Sequence, residues 1–277
     1  MLRLFFGLFL AAVAVALTFN DPAWFAATTV LVGLFAAREW HRLVRNPARR
    51  AEMGGTAIHA QTAVTAVTIA MAVTALFWRQ PLAAAGFIAA GTVIALLLGR
   101  LQRDNPLWHG AGVLYIGVAC LSLVGLRTLA PHASTVVLGL FLIVWGTDTG
   151  ALVFGKLIGG RKLAPSISPG KTWAGTIGGS LTGAAIYALY IAVLSFNAAL
   201  AFAFALVFSV VVHGGDLFES YVKRRFGTKD SGGLIPGHGG ALDRLDSTFA
   251  AAPALALLVF GLPLLGIHFN PLFGGHL

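Results

Sequence analysis

The stretch NAALAFAFALVFSVVVHGGDLF, residues 197–218, decides how this chain folds. It is long enough for a helix to cross the hydrocarbon core of a membrane, which takes about 20 predominantly apolar residues. It also carries an aspartate, Asp216, near its end. Membrane segments rarely contain a carboxylate unless the charge has a partner or a function. The stretch therefore predicts a membrane helix that carries a functional carboxylate near one end.

Similar apolar runs fill the rest of the 277-residue chain, in which 57% of the residues are hydrophobic and 10% are charged. We predict an all-α, polytopic integral membrane protein with about nine transmembrane helices. The helices are expected near residues 4–19, 21–37, 60–78, 82–99, 107–126, 135–155, 173–195, 197–218 and 248–267. The first run has an alternative interpretation as a cleaved signal peptide. Because no small-residue cleavage site precedes Asn20, a retained helix is the better interpretation.

The basic residues predict how the chain is oriented in the membrane. Of the 19 Lys and Arg residues, only Arg79 and Arg127 fall at one face. The others fall at the opposite face, in four loops and at Arg3. The positive-inside bias therefore places the N-terminus and the polar segment 214–246 in the cytoplasm. We expect a multi-pass protein of the cell inner (plasma) membrane.

The net charge of +9 is thus predicted to be a charge of the cytoplasmic face, where it suits anionic lipid headgroups and phosphorylated substrates. The basic residues are spread over membrane-tethered loops, and no nucleic-acid-binding fold is recognisable among them. We therefore expect no nucleic-acid partner.

The character of the sequence changes near residue 130. Residues 1–130 offer apolar spans and short loops, which predicts an N-terminal transmembrane scaffold or a dimer contact. Residues 131–277 are predicted to form a C-terminal transmembrane catalytic region with its site at the cytoplasmic face. Cys120, the single cysteine, excludes an intrachain disulfide and is expected in the core.

Two features of the second region precede its polar segment. Asp148 lies inside an apolar run, so we expect a cation or a metal ion beside it. Ser168, Lys171 and Thr172 supply hydroxyls and an ammonium at a Pro-Gly turn, directly before a helix whose N-terminus favours anions. The spacing is not that of GxxxxGK[ST], so a P-loop is excluded.

The segment from Gly214 to Asp246 reads GGDLFESYVKRRFGTKDSGGLIPGHGGALDRLD and holds five of the ten acidic residues of the chain. If the preceding helix continues, Asp216 shares one of its faces with Ser220 and Lys223. The carboxylates of this segment fit a hard divalent cation such as Mg²⁺, whereas the His and Cys ligand sets of zinc are absent. The interspersed glycines allow backbone amides to approach phosphate oxygens closely.

The segment contains a series of spaced motifs: Ser220-x-Val222-Lys223-Arg224, Lys229-Asp230-Ser231-Gly232, Pro236-x-His238-Gly239-Gly240 and Asp243-Arg244-x-Asp246. Together they resemble the signature of phosphatidate cytidylyltransferases, also called CDP-diacylglycerol synthases. Asp148 and the loop 168–173 resemble a second region of that family. The resemblance extends over about residues 145–253 and is compatible with the rest of the chain.

The resemblance implies transfer of a cytidylyl group from CTP to phosphatidic acid, giving CDP-diacylglycerol and pyrophosphate in phospholipid biosynthesis. It implies a requirement for Mg²⁺, alone or with a second cation, and is compatible with a homodimer. The candidate metal ligands are Asp148, Asp216, Asp243 and Asp246. The candidate catalytic residues are Lys223, Arg224, Lys229, Asp230, His238 and Arg244. The candidate substrate-binding residues are Ser168, Lys171, Thr172, Ser220, Gly239 and Gly240.

The nucleophile in such a reaction is already an anionic phosphate, so no strong base is required. His238 is therefore expected to position the nucleotide or the leaving pyrophosphate, and a general base is the lesser interpretation.

The main alternative is an ion-coupled secondary transporter, in which Asp148 and Asp216 would bind a coupling ion near the midplane. The polar groups cluster at one face and no inverted repeat is evident, which favours the enzyme. A CDP-alcohol phosphotransferase is a second alternative, but its DG-x-x-AR pattern does not occur in the sequence.

Overall fold

A computed structural model of the chain describes residues 2–46, 56–130, 132–232 and 240–264. The architecture is helical, as predicted. The helices are α1 (Leu2–Phe19), α2 (Pro22–Leu43), α3 (Thr56–Phe77), α4 (Pro81–Leu101), α5 (Pro106–Thr128), α6 (Ala133–Leu157), α7 (Trp173–Val193), α8 (Ala198–Arg225) and α9 (Leu242–Ala256). After α9 the chain continues through a π-helical turn, Leu257–Gly261, into a last short helical turn, Leu262–Leu264. Each of the nine predicted helices overlaps one of these.

Seven helical segments are long and apolar enough to cross a membrane, by length and composition, within the described residues. They are α3 to α8, with α3 counted from Ala60, and the last segment Leu242–Leu264. α1 adds a shorter apolar stretch, Phe9–Phe19. The chain is therefore a polytopic membrane protein.

Two helices extend further than their apolar runs. α2 begins where Asp21 accepts a hydrogen bond from the backbone N–H of Ala23 at 2.7 Å, and where Pro22 can start a helix without losing a hydrogen bond. It ends at Leu43, six residues beyond the predicted span, and α8 likewise continues to Arg225. Both extensions carry charged residues.

A small β-hairpin interrupts the helical architecture. Strands β1 (Lys162–Ala164) and β2 (Ser168–Thr172) pair in antiparallel register, with Lys162 opposite Thr172 and Ala164 opposite Ser168. β2 leads directly into α7, whose N-terminus is capped by Thr172, because the Thr172 hydroxyl accepts a hydrogen bond from the backbone N–H of Gly175 at 3.0 Å. The predicted loop is thus a hairpin that ends at a helix N-terminus.

The chain divides into two compact units, residues 1–129 with 222–245 and residues 130–221 with 246–277, so that the boundary falls inside α8 and inside α9. The predicted functional division at residue 130 stays a prediction. The buried core of the first unit includes Trp40, whose indole N–H donates to the carbonyl of Trp108 at 2.8 Å. Cys120 is fully buried there, as expected.

The first unit also holds a buried polar network at the ends of its helices. The carboxylate of Asp104, in the loop between α4 and α5, lies 3.6 Å from the guanidinium of Arg45 and 3.5 Å from the imidazole of His109. It also accepts a hydrogen bond from the backbone N–H of Asn46 at 2.8 Å. His109 in turn contacts His41 through their ring nitrogens at 2.9 Å.

The second unit is built around the close packing of α6 on α7. A Cβ added at Gly183 would overlap the side chain of Thr147 and the carbonyl oxygen of Ile143, and one at Gly179 would overlap the carbonyl oxygen of Thr147. The two backbones can approach this closely only because these positions have no side chain. The contact places Asp148 beside the tightly packed part of α6.

Candidate active site

In the second unit the hairpin joins α8 through an ion pair. The ammonium of Lys171 on β2 lies 2.7 Å from Oδ2 of Asp216 on α8, and both side chains are partly buried. The other oxygen of Asp216 accepts a long hydrogen bond of 3.5 Å from the Ser220 hydroxyl, one helical turn further along. The structure thus brings three of the predicted site residues together.

α6 and α9 add two more carboxylates to this unit. Oδ1 of Asp148 accepts a hydrogen bond of 3.4 Å from the Ser247 hydroxyl, the residue after Asp246. A Cβ at Gly215 would overlap the carbonyl oxygen of Asp246, so α8 and α9 touch at this level. The carboxylate of Asp148 interacts electrostatically with the side chains of Asp246, Asp216 and Lys171. We call Asp148, Lys171, Asp216, Ser220 and Asp246 the carboxylate cluster.

His213 lies next to this cluster on α8 and was not singled out by the sequence. Its Nε2 lies 3.1 Å from the carbonyl oxygen of Thr176 and 3.3 Å from the Ser180 hydroxyl, both on α7. It also lies within electrostatic range of Lys171 and Asp216. The only sequence signal was its position three residues before Asp216, which is one turn of helix.

In the first unit a second ion pair links the signature motifs. The ammonium of Lys223 on α8 donates to Oδ1 of Asp243 at 2.8 Å, and only 13% and 12% of the two side chains are exposed. The Asp243 carboxylate also accepts from the backbone N–H of Gly240 at 2.8 Å and from that of Ser231 at 3.2 Å. Asp243 therefore fixes both the ammonium and the backbone around it.

The same backbone is held from the other side by Glu39 of α2, which the sequence analysis did not select. Its carboxylate accepts from the backbone N–H groups of Ala241 at 3.0 Å and Leu242 at 2.8 Å, and from the Ser231 hydroxyl at 3.3 Å. We call Glu39, Lys223, Ser231, Gly240 and Asp243 the loop cluster. No sequence signal distinguished Glu39 from an ordinary charged residue at the end of an apolar run.

The remaining predicted site residues differ in how far they are exposed. Arg224, Lys229, Asp230 and Arg244 are exposed, and Ser168 is half-buried. Thr172 is buried as the cap of α7, so its hydroxyl has a structural partner. His238 and Gly239 lie outside the described residues, and their roles stay predictions.

The donor chemistry of the carboxylate cluster fits a magnesium ion. Mg²⁺ binds hard oxygen ligands, keeps several waters and is commonly shared between one or two carboxylates and substrate phosphates. In the described part of the chain, no three His, Cys, Asp or Glu side chains are grouped to hold a metal by themselves. Ligation by one or two of these aspartates together with a polyphosphate is the arrangement compatible with both facts.

Comparison with known proteins gives consistent matches. The sequence pattern of the Cytidylyltransferase family matches residues 1–262 of this chain. The phosphatidate cytidylyltransferase of Brucella suis biovar 1 is 36% identical over 256 residues, covering 92% of this chain and 91% of that protein. That of Brucella melitensis biotype 1 is 37% identical over 258 residues, with the same coverage of 92% and 91%. That of Rickettsia bellii is 36% identical over 197 residues, covering 66% of this chain and 82% of that protein.

Proposed function

The chain belongs to the cytidylyltransferase family, and from this premise we propose that it transfers a cytidylyl group from CTP to phosphatidic acid, giving CDP-diacylglycerol and pyrophosphate. It is an enzyme, a nucleotidyltransferase. Relatives that match over nine-tenths of the chain carry the name phosphatidate cytidylyltransferase, and the helical membrane architecture suits a lipid substrate. Nothing in the fold favours the transporter alternative.

The observation that carries the proposal is the pairing of lysines with carboxylates among the predicted site residues. Lys171 pairs with Asp216, and Lys223 pairs with Asp243. A lysine held by a carboxylate is a fixed positive charge that can exchange its partner for a phosphate oxygen. A reaction between two polyanions requires such charges, because its transition state concentrates negative charge on the phosphoryl oxygens.

The chemistry proceeds by in-line attack at phosphorus. An oxygen of the phosphatidic acid phosphate forms a bond to the α-phosphorus of CTP, and the bond from that phosphorus to the bridging oxygen of pyrophosphate breaks. Since the attacking oxygen is already anionic, the side chains have to position and neutralise rather than remove a proton. We assign this role to Lys171, Lys223 and Lys229, with Arg224 and Arg244 as further phosphate contacts.

We propose that one or two of Asp148, Asp216 and Asp246 would hold Mg²⁺ together with oxygens of the substrate phosphates. A bound Mg²⁺ would neutralise phosphate charge and polarise the phosphoryl group. Asp243 was also predicted to be a ligand, but its oxygens accept hydrogen bonds from Lys223, Ser231 and Gly240. These contacts support a role for Asp243 in orienting Lys223.

The distribution of basic residues supports a cytoplasmic N-terminus and a cytoplasmic site, where CTP is available, in the inner (plasma) membrane. The exposed Arg224, Lys229 and Arg244 lie in the polar segment 214–246, which this orientation places in the cytoplasm. Contact with anionic lipids and assembly as a homodimer remain part of the proposal.

The test is a transfer assay on the purified full-length chain in mixed micelles with phosphatidic acid, CTP and Mg²⁺. Label at the α-phosphate of CTP is expected in the lipid extract, and label at the γ-phosphate is expected in released pyrophosphate. Diacylglycerol, which lacks the attacking phosphate, is the matched control lipid and should give no labelled product. Absence of α-label from the lipid extract with monodisperse protein would contradict the proposed reaction.

A further inference from the structure

Glu39 is a buried carboxylate far in sequence from the signature segment that it contacts. It lies near the end of α2, 192 residues before Ser231, and only 6% of its surface is exposed. Its charge is stabilised by hydrogen-bond donors at both ends of the segment 233–239: Ser231 on one side, and Ala241 and Leu242 on the other. Burying an ionised carboxylate is unfavourable unless it is well hydrogen-bonded. The three donors supply that compensation.

Two of the donors, the N–H groups of Ala241 and Leu242, lie at the beginning of α9, where backbone N–H groups have no partner within the helix. Glu39 accepts from Ala241 and Leu242, while Asp243 accepts from Ser231 and Gly240. Two carboxylates from different parts of the sequence therefore satisfy four backbone N–H groups around one helix start. The positive end of the helix dipole favours both charges.

The packing around Glu39 leaves no room for a side chain at two glycines of the signature segment. A Cβ at Gly232 would overlap the Glu39 carboxylate, and a Cβ at Gly240 would overlap both that carboxylate and the Ser231 hydroxyl. A Cβ at either position would thus push the Glu39 carboxylate away from its hydrogen-bond donors. The backbone therefore packs closely against the Glu39 carboxylate. A carboxylate that lay on the surface by chance would not show such close packing.

The contacts connect Glu39 to Lys223 in three steps. Glu39 holds the backbone of Ala241 and Leu242 and the hydroxyl of Ser231. The backbone N–H groups of Gly240 and Ser231 hold the Asp243 carboxylate, and Asp243 holds the Lys223 ammonium. We propose that Glu39 is a positioning residue of the transferase, which sets the geometry of the Lys223–Asp243 pair without touching substrate. This inference rests on the proposed function, since Lys223 is assigned there to a substrate phosphate.

The substitution Glu39→Gln preserves shape and tests the contact. An amide has one oxygen and one NH₂ group. Whichever way the glutamine is turned, its NH₂ faces the backbone N–H of Ala241 or that of Leu242, and that group loses its acceptor. We expect kcat/KM for CTP, per folded molecule, to fall by roughly 10- to 100-fold. Gly240→Ala, which displaces the carboxylate directly, should have a similar effect.

Two controls separate positioning from stability. Asp104→Asn removes another buried carboxylate of the same unit, and Gly86→Ala adds a methyl where nothing lies within 4 Å. Asp104→Asn is expected to lower the melting temperature with kcat/KM per folded molecule unchanged, and Gly86→Ala to change neither. A merely structural Glu39 would behave as Asp104 does.

Hydrogen exchange provides a readout that does not depend on activity. In Glu39→Gln, amide exchange should accelerate in peptides that contain Ala241 and Leu242, and remain unchanged in peptides from α4. If the wild-type chain fails to transfer cytidylyl groups, the proposed function fails, and the exchange result still reports on the contact. Unchanged exchange at 241–242, or normal kcat/KM in both Glu39→Gln and Gly240→Ala, would overturn the role of Glu39.

Discussion

Lys171 Nζ lies 2.7 Å from Asp216 Oδ2, so the strand that leads into α7 is tied by charge to the carboxylate on α8. The pair joins two motifs that are 45 residues apart in the sequence. Because both side chains are only partly buried, the ammonium can remain near Asp216 while turning toward a phosphate. Each of the two partners should therefore matter more for turnover than for folding.

Replacing Lys171 with Met tests this pair. The change removes a charge that would stabilise the transition state, and a charge-assisted contact of this kind contributes roughly 2–4 kcal/mol. We expect kcat/KM to fall by about 30- to 1000-fold. Lys162→Met, an exposed lysine of the same hairpin, is the matched control and should stay within about 2-fold. Equal effects of the two substitutions in the transfer assay would remove Lys171 from the site.

Asp246→Asn tests the proposed magnesium ligand. The substitution keeps the shape of the side chain and removes its charge, and Mg²⁺ is bound in proteins through one or two carboxylates. We expect turnover to be lost at ordinary Mg²⁺ concentrations, with a normal elution profile in detergent. Asp21→Asn, at the exposed cap of α2, serves as the control and should retain activity. Normal turnover of Asp246→Asn at ordinary Mg²⁺ would contradict its assignment as a ligand.

The orientation can be measured by labelling single cysteines. Cysteine at Ser166 in the hairpin or at Arg225 at the end of α8 should react only with reagent that reaches the cytoplasm. Cysteine at Ser195, between α7 and α8, should react from outside. All three positions are exposed, and the native Cys120 is fully buried, so it gives little background. Labelling of Ser166→Cys in intact cells by an impermeant reagent would reverse the predicted topology.

The sequence predicts the helices well because each apolar run has the length of a membrane crossing. It predicts their ends less well: α2 and α8 continue as helices into charged sequence, where hydropathy no longer gives a signal. The hairpin was predicted only as a loop, since its strands are three and five residues long and the second contains Pro169 and Gly170.

The ion pairs of the site could be anticipated only in part. The sequence suggested that Asp216, Ser220 and Lys223 share a helix face, and α8 does continue through all three. The structure then gives these charges different partners: Lys171 for Asp216, and Asp243 for Lys223. The contact of Glu39 spans about two-thirds of the chain. A single sequence contains no local pattern that could reveal it.

The Asp104 network predicts a pH-dependent contribution to stability. Burial alone would raise the pKa of Asp104, but hydrogen bonds from His109 and the Asn46 backbone, with the charges of His109 and Arg45, lower it overall. A lowered folded-state pKa gives stability that is present above the unfolded value of about 4 and is lost as the pH falls through the folded-state pKa.

Asp104→Asn should therefore destabilise the protein at pH 7, by about 1–3 kcal/mol, because it weakens the contacts of buried donors. The difference in melting temperature between this variant and the wild type should be largest at neutral pH and should shrink below about pH 4. Thermal unfolding in detergent across this pH range measures it. If the difference in melting temperature grows toward acid pH, the charged form of Asp104 does not stabilise the folded protein.

The last prediction compares Lys223 with Lys229. Lys223 is mostly buried and paired with Asp243, whereas Lys229 is exposed. If both hold substrate phosphates, Lys223→Met and Lys229→Met should each lower kcat/KM by roughly 30- to 1000-fold. Only Lys223→Met should also lower the melting temperature, because it leaves the Asp243 carboxylate without its ammonium in a site with little solvent. Arg225→Met, a neighbouring exposed cation, is the control and should affect neither quantity.

A transporter that couples ions through Asp148 and Asp216 would lose little from Lys229→Met. Near-normal transfer by this variant would therefore mean that Lys229 belongs to a solvated connector, whereas lost transfer with unchanged melting would support its contact with substrate.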